Sequence, residues 1–154
     1  MTLSETPEDP DAAEIALATR LRLAVGRLHR RLSRRAVGGL TPSQLSVLVT
    51  VEQYGPLRLG ELANREVITP PTVTRLVASL YERDLVKRIT DPEDARAALI
   101  EVADSGKILL DEIRRERTAF IAQRISRLDP EARAEVAGAV ALLEQLIDIP
   151  DDNG

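Results

Sequence analysis

The sequence contains no cysteine, a single histidine, very few aromatic side chains and no long apolar run. Without cysteine there are no disulfides or thiolate ligands, and one histidine is too few for a transition-metal cluster, so we expect no metal site. Aromatic residues make up 2% of the chain, which leaves little material for the stacking platforms that bind single-stranded nucleic acid. The apolar stretches are too short to span a membrane, and the N-terminus is acidic rather than basic. We therefore expect a cytoplasmic protein with no membrane partner.

The sequence also lacks the common catalytic motifs. It has no glycine-rich phosphate loop, no GxSxG elbow and no HExxH pair. With one histidine and no cysteine, few side chains are suited to acid–base or nucleophilic chemistry near neutral pH. We therefore predict no catalytic residues and no cofactor, and we do not expect an enzyme.

The net charge of −4 hides an uneven distribution of charge along the chain. Residues 1–19 carry five acidic and no basic side chains, whereas residues 20–100 carry fourteen basic and eight acidic ones. Residues 101–154 are acidic again, with twelve acidic and seven basic side chains. An acidic protein of this kind can still present a positive face to a phosphate backbone, although solvation of helix surfaces would produce the same excess.

Apolar residues recur at helical spacing on both sides of the basic segment. The spacing predicts helices over residues 12–36, from about 41 to 54, over 104–128 and over 130–149, with Thr41 and Pro42 opening the second. The apolar stripes of the first helix and of the last two together exceed what one small lobe covers, which indicates contact with a second chain; packing within one monomer is the alternative. We expect a single domain over residues 12–149, with flexible tails at residues 1–11, which are acidic, and at residues 150–154.

Residues 57–103 have the order of a winged helix-turn-helix. A short helix at residues 59–65 is followed by a turn and by Thr69-Pro70-Pro71, where threonine can cap a second helix and proline is tolerated in the first turn. Val73, Leu76, Val77 and Leu80 form the buried stripe of this second helix. We predict that the other side enters a major groove. The side chains predicted to face DNA are Thr72, Thr74, Arg75 and Ser79.

Two β-like runs, residues 85–89 and 97–102, follow the second helix and are joined by a polar, proline-containing loop. This hairpin has the length of a projecting wing. We predict that Arg96 reaches DNA from the loop and that the carboxylate of Asp94 orients its guanidinium, because an oriented arginine suits a narrow minor groove. An ion pair within the loop that has no part in DNA binding is the alternative interpretation.

Four parts of the sequence together resemble the MarR family of bacterial transcriptional regulators. They are TPPTVTRLV at residues 69–77, Leu80, LVKR at 85–88 and DPEDAR at 91–96. Gly106 and Lys107 resemble the small turn with which that family enters its penultimate helix. The resemblance covers roughly residues 12–148. The sequence departs from the pattern at Ala95, where the family often has a second basic residue, and this departure weakens the expected contact of the wing with phosphate or with the minor groove.

The resemblance implies a mainly α-helical fold with a small β-hairpin wing. A winged helix-turn-helix lobe at residues 41–103 would lie between dimerisation helices at residues 12–36 and 104–149. It further implies a homodimer that binds an inverted repeat in double-stranded DNA, and a small phenolic or lipophilic effector that releases a repressor from it. His29 and Tyr54 are candidate effector contacts, although each also suits an ordinary structural role.

A winged-helix dimer that binds another protein is the alternative function. A protein-binding helix normally presents aromatic or leucine anchors on its exposed side. The exposed side predicted for residues 70–83 carries threonine, arginine and serine instead. This composition favours DNA.

Overall fold

The computed structural model describes residues 9–33 and 37–150. Within these ranges it contains six α-helices, one 3-10 turn and one antiparallel hairpin. In chain order the elements are α1 (Ala12–Ser33), a 3-10 turn (Val37–Gly39), α2 (Pro42–Tyr54), α3 (Leu59–Glu66), α4 (Pro70–Glu82), β1 (Val86–Thr90), β2 (Ala98–Val102), α5 (Asp104–Ile125) and α6 (Pro130–Ile147).

The predicted fold class, mainly helical with a β-hairpin wing, is confirmed. Both strands begin one residue later than predicted, α5 ends three residues earlier, and α6 ends two residues earlier. The predicted last turn of the first helix falls on residues 34–36, which lie outside the described residues. Most of the two predicted tails, residues 1–8 and 151–154, also lies outside them.

The start of α2 shows how a short sequence signal fixes a helix boundary. The hydroxyl of Thr41 accepts a hydrogen bond from the amide of Gln44 at 3.2 Å, and Gln44 Oε1 accepts one from the amide of Thr41 at 2.8 Å. These two bonds form a capping box, and Pro42 occupies the first helical position, where no amide proton is needed. The predicted cap at Thr41 is confirmed.

One hydrophobic core lies inside the lobe formed by α2, α3, α4, the hairpin and the first half of α5. β1 and β2 pair from Val86 with Val102 to Thr90 with Ala98. Leu57 adds an isolated bridge to Ile100, with N–O distances of 3.0 and 2.8 Å in the two directions. The side chains that are almost fully buried are Val47, Leu48, Leu62, Val73, Val77, Leu80, Ile100 and Leu110.

One close contact joins this lobe to the linker before it, and another fixes the start of α5 within it. The guanidinium of Arg83, just after α4, donates to the carbonyls of Gly38 and Gly39 in the linker between α1 and α2, the second at 3.2 Å. Gly106, in the first turn of α5, packs so closely on the carbonyl of Leu85 that a Cβ atom would overlap it. The family-like glycine therefore lets α5 begin directly against the base of β1.

Helices α1 and α6 bury none of their described residues within the chain. Each helix is amphipathic, and large apolar side chains on its apolar side remain exposed. They include Ile15, Leu17, Leu23, Val25 and Leu28 on α1, and Val140, Leu142, Leu146 and Ile147 on α6. Over the part of the chain that the structure describes, no helix is long and apolar enough to cross a membrane.

Candidate nucleic-acid interface

Helix α4 has one face in the core and one face in solvent. Val73, Val77 and Leu80 are at most 1% exposed, as the predicted buried stripe requires, and its fourth member, Leu76, is half-buried against the core. Thr74 and Arg75 are exposed. Because the three buried side chains fix the rotation of the helix about its axis, the direction in which Arg75 points is fixed as well.

The N-terminus of α4 differs in one detail from the prediction. Thr69 is the N-cap residue and Pro70 and Pro71 follow it in the first turn, as expected. The Thr69 hydroxyl, however, lies 2.9 Å from the hydroxyl of Thr72 and makes no capping bond to a backbone amide. Backbone bonds from the amides of Thr72 and Val73 to the Thr69 carbonyl, at 2.9 and 3.1 Å, close the turn instead.

The four side chains predicted to face DNA from α4 are not equivalent. The Thr74 hydroxyl donates to the carbonyl of Pro70 at 2.9 Å, and Thr72 is half-buried. Arg75 makes no hydrogen bond or ion pair with any other residue that the structure describes, so its guanidinium keeps all its donors for a partner.

Ser79 does not occupy the position predicted for it. Its hydroxyl accepts a hydrogen bond of 2.6 Å from Nε2 of Gln44 on α2, and its side chain is half-buried. The helical wheel placed Ser79 on the outer side of α4, but a neighbouring helix covers that sector two turns beyond the N-terminus. We therefore assign Ser79 to the packing of α4 on α2.

In the wing loop, Asp94 bonds to backbone amides and does not form the predicted ion pair with Arg96. Oδ1 of Asp94 accepts a hydrogen bond of 3.0 Å from the amide of Arg96, and the carbonyl of Asp94 accepts one of 2.9 Å from Ala97. This is the Asx-turn geometry that an aspartate two residues upstream favours. The expectation that Asp94 holds the Arg96 guanidinium was wrong. That guanidinium is exposed and unpaired among the described residues.

Asp91, the first residue of the DPEDAR pattern and one for which no role was predicted, is the buried charged residue at the base of the wing. It is 5% exposed, and its Oδ2 accepts a hydrogen bond of 2.7 Å from Nε of Arg58. Oδ1 accepts another, of 2.9 Å, from the amide of Glu93. This amide bond and the Arg58 guanidinium hold the pKa of Asp91 below its ordinary value despite its burial. Arg58 in turn has its pKa raised by Asp91.

The two candidate effector contacts separate in the structure. His29 lines a cavity of about 350 Å³ between α1, α2 and α5, whereas Tyr54 lies elsewhere, with the guanidinium of Arg65 4.1 Å above its ring. Arg117 also lines the cavity, and its buried Nε has no hydrogen-bond partner among the described residues. The apolar part of the lining comes from Leu40, Pro42, Leu45, Val49 and Ile113.

The three-helix core, the hairpin after α4 and the exposed cation on α4 define a winged helix-turn-helix protein. A family model described as MarR family matches residues 40–98. An HTH-type transcriptional regulator of Mycobacterium tuberculosis is 37% identical over 137 residues, which cover 88% of this chain and 96% of the relative. The HTH-type transcriptional repressor MdtR of Bacillus subtilis is 32% identical over 70% of this chain and 69% of its own length.

A solved structure is similar over nearly the whole fold. The transcriptional regulator Tm0710 from Thermotoga maritima has a TM-score of 0.74 at 26% identity, covering 86% of this chain and 94% of that one. The chain belongs to the MarR family, and it is a transcriptional regulator with a DNA-binding helix-turn-helix. Members of this family are non-enzymatic DNA-binding proteins, so the expectation that the chain is not an enzyme is confirmed.

Proposed function

We propose that this protein is a homodimeric repressor that binds an inverted repeat in double-stranded DNA. The observation that carries the proposal is the geometry of α4, whose buried stripe turns Thr74 and Arg75 toward solvent with the arginine unpaired among described residues. An arginine held in this way suits bidentate contact with a guanine edge in the major groove. Thr72 is close enough to the N-terminus of α4 to contact the adjacent sugar-phosphate backbone.

The wing supplies a second contact in this proposal. The guanidinium of Arg96 is exposed at the end of the hairpin loop, and Asp94 fixes the backbone that carries it. We infer that Arg96 approaches the minor groove or its phosphates, and that Asp94 acts on DNA binding only through the loop.

The uncovered faces of α1 and α6 support the dimer. Exposed apolar side chains such as Leu17 and Leu142, at 64% and 66%, are unfavourable in water and become buried when two chains pack together. A two-fold axis through these helices would present two α4 helices to one duplex, which is why an inverted repeat is the expected target. Since that target is DNA, the protein would act in the cytoplasm. The relative named as a repressor, MdtR, supports repression as the outcome of binding.

The cavity beside His29 is the proposed effector site. It lies between α1, which belongs to the proposed dimer interface, and α2, which packs on α4, so occupancy can change the spacing of the two DNA-binding lobes. Its lining is largely apolar, and the unpartnered Nε of Arg117 would be satisfied by a hydrogen-bond acceptor. We therefore propose an aromatic effector that carries a phenolate or carboxylate oxygen.

Titration of the protein with benzoate, with binding measured by calorimetry, tests the effector site. Arg117→Met keeps most of the side-chain length but removes every donor, so it should weaken benzoate binding by about 1.5–3 kcal/mol, the range for a hydrogen bond to a charged group. Arg115→Met, on an exposed part of the same helix, is the matched control and should bind as the unmodified chain does. Equal affinity in both variants would remove Arg117 from the effector site.

Selection of bound fragments from a library of genomic DNA tests the proposed target. The purified protein should enrich fragments that share one inverted repeat with half-site centres about 10 bp apart, one turn of the double helix. Enrichment without any shared repeat would contradict sequence-specific binding by the α4 pair.

A further inference from the structure

The ion pair between Arg58 and Asp91 adds a side-chain link between the start of α3 and the end of β1. Nε and Nη2 of Arg58 lie 2.7 and 2.5 Å from Oδ2 of Asp91, while Oδ1 accepts the amide of Glu93. Both carboxylate oxygens are therefore in use. An aspartate as buried as this one is unfavourable unless it is paired and hydrogen-bonded, so the geometry of the pair is well defined.

Arg58 is itself fixed at the junction of α3 and the sheet. Its amide donates to Oε2 of Glu61 at 2.8 Å in the first turn of α3. The residue before it, Leu57, makes two backbone hydrogen bonds with Ile100 in β2. The guanidinium thus extends from a rigid support, and Asp91 is attached to that support.

Asp91 lies where the wing begins. It directly follows β1, and its amide donates to the carbonyl of Ala97 at 3.2 Å, just before β2 starts. Residues 92–96, which include Arg96, therefore form a loop whose two ends are held together by the hydrogen bond between Asp91 and Ala97. A change in the position of Asp91 would move the guanidinium of Arg96 relative to α4.

We propose that Arg58 and Asp91 are positioning residues for DNA binding, and that their ion pair fixes the wing at the angle from which Arg96 contacts the duplex. This inference rests on the proposed function of the wing. Arg58 occupies the N-cap position of α3, where serine, threonine or aspartate is the usual choice. Its side chain makes no cap bond and pairs with Asp91 instead.

Substitution of Asp91→Asn separates positioning from simple charge. The variant carries one negative charge less, so a purely Coulombic account expects tighter binding to DNA. Positioning predicts the opposite: binding to the selected inverted repeat should weaken about tenfold near 0.1 M salt, the value of one phosphate-like contact by counterion release. The slope of log affinity against log salt should also flatten by about 0.9.

Glu101→Gln is the matched control for this experiment. Glu101 pairs with Lys87 across the same hairpin at 2.9 Å, but Lys87 is exposed, Glu101 is only half-buried, and the ion pair lies away from the loop. Removing its charge should leave DNA affinity unchanged or slightly higher. A fall in affinity equal to that of Asp91→Asn would assign the effect to any loss of charge on the hairpin and would overturn the proposal.

Two further measurements make the proposal specific. In a double-mutant cycle, Asp91→Asn should add almost nothing to the loss caused by Arg96→Ala, because both remove the same contact. Amide hydrogen exchange on the free protein should be faster at Asp91, Arg96 and Ala97 in Asp91→Asn, and unchanged at Val77 in α4. Additive losses, or unaltered exchange in the wing, would contradict positioning through Arg96.

The remaining outcomes also decide the question. If Asp91→Asn does not fold, Arg58→Lys keeps the charge but loses Nε, and it should show the same flattened slope to a smaller degree; a slope equal to that of the unmodified chain would overturn the proposal. If Arg96→Ala binds the repeat normally, the wing has no part in recognition and this inference falls. If the unmodified chain binds no DNA, the proposed function itself fails, and that failure is seen before any variant is made.

Discussion

Arg75 is the side chain on which sequence reading by α4 depends in this account. Replacing it with alanine should weaken binding to the selected repeat by about 1–3 kcal/mol, the value of a bidentate contact with guanine, and should weaken binding to random DNA far less. Fluorescence anisotropy with both duplexes at one salt concentration measures the difference. Arg115→Ala on α5 removes the same charge outside the lobe and should affect neither duplex. Equal losses on both duplexes for Arg75→Ala would make it a phosphate contact.

Val67 has an unfavourable backbone conformation in the turn between α3 and α4. Its φ angle is 53°, in the left-handed region, and its side chain is 89% exposed, so a β-branched residue gains nothing there from packing. Asparagine tolerates this region better at the end of a helix, so Val67→Asn should raise the free energy of unfolding by about 1 kcal/mol. Urea denaturation measures this change.

Val67→Ile is the appropriate control, because isoleucine is also β-branched and keeps the unfavourable conformation. Its stability should match that of the unmodified chain. If Val67→Asn were no more stable than Val67→Ile, the strain assigned to this turn would be absent.

At the scale of the elements, the wing should contribute to DNA binding through Arg96, whose backbone is held by the hydrogen bond from its amide to the Asp94 carboxylate. Arg96→Ala should lower affinity across many sequences, most strongly where an A·T-rich tract lies under the wing, and should flatten the salt slope by about 0.9. Asp94→Ala removes the hydrogen bond to the Arg96 amide but leaves the Arg58–Asp91 ion pair at the base of the wing, so Arg96 should keep most of its contact. We therefore expect a smaller loss with nearly the same slope. The reverse order would mean that the loop contributes only to the fold.

The helices and strands of the lobe were predictable because each has a local signal. The spacing of Val73, Val77 and Leu80 located the buried side of α4, and Thr41 with Pro42 located the start of α2. Local patterns of this kind determine where an element begins and which side it buries.

Two errors are local: the Asp94 carboxylate bonds to the amide of Arg96 rather than to its guanidinium, and the Thr69 hydroxyl makes no cap bond. The others concern side chains whose partners are distant in sequence. Ser79 bonds to a residue 35 positions away and Asp91 to one 33 positions away, so neither contact has a periodic signature. The helical wheel describes one isolated helix and does not show where a second helix covers its flank, as α2 does at Ser79. An arginine at a cap position before α3 was the available signal for the Asp91 pair, because a residue type that is poor at capping suggests another role.

At the scale of the whole molecule, the apolar faces of α1 and α6 should form the dimer. Leu142 is 66% exposed on α6, so Leu142→Asp would place an unpaired carboxylate inside the proposed interface and should shift the protein toward single chains. Light scattering at micromolar concentration reports the mass directly. Val67→Asp adds the same charge to an exposed valine in the lobe and should remain dimeric. A dimer that tolerates Leu142→Asp as well as Val67→Asp would exclude this face of α6 from the interface.

The measurement that tests the central claim most directly is the stoichiometry of the complex with DNA. Sedimentation equilibrium of the unmodified chain with a duplex carrying one selected inverted repeat should give two chains per duplex, bound as a unit. A duplex with only one half-site should bind much more weakly at the same concentration. One chain per duplex on the full repeat, or equal affinity for the full repeat and the half-site, would contradict a dimeric regulator that reads two-fold symmetric DNA.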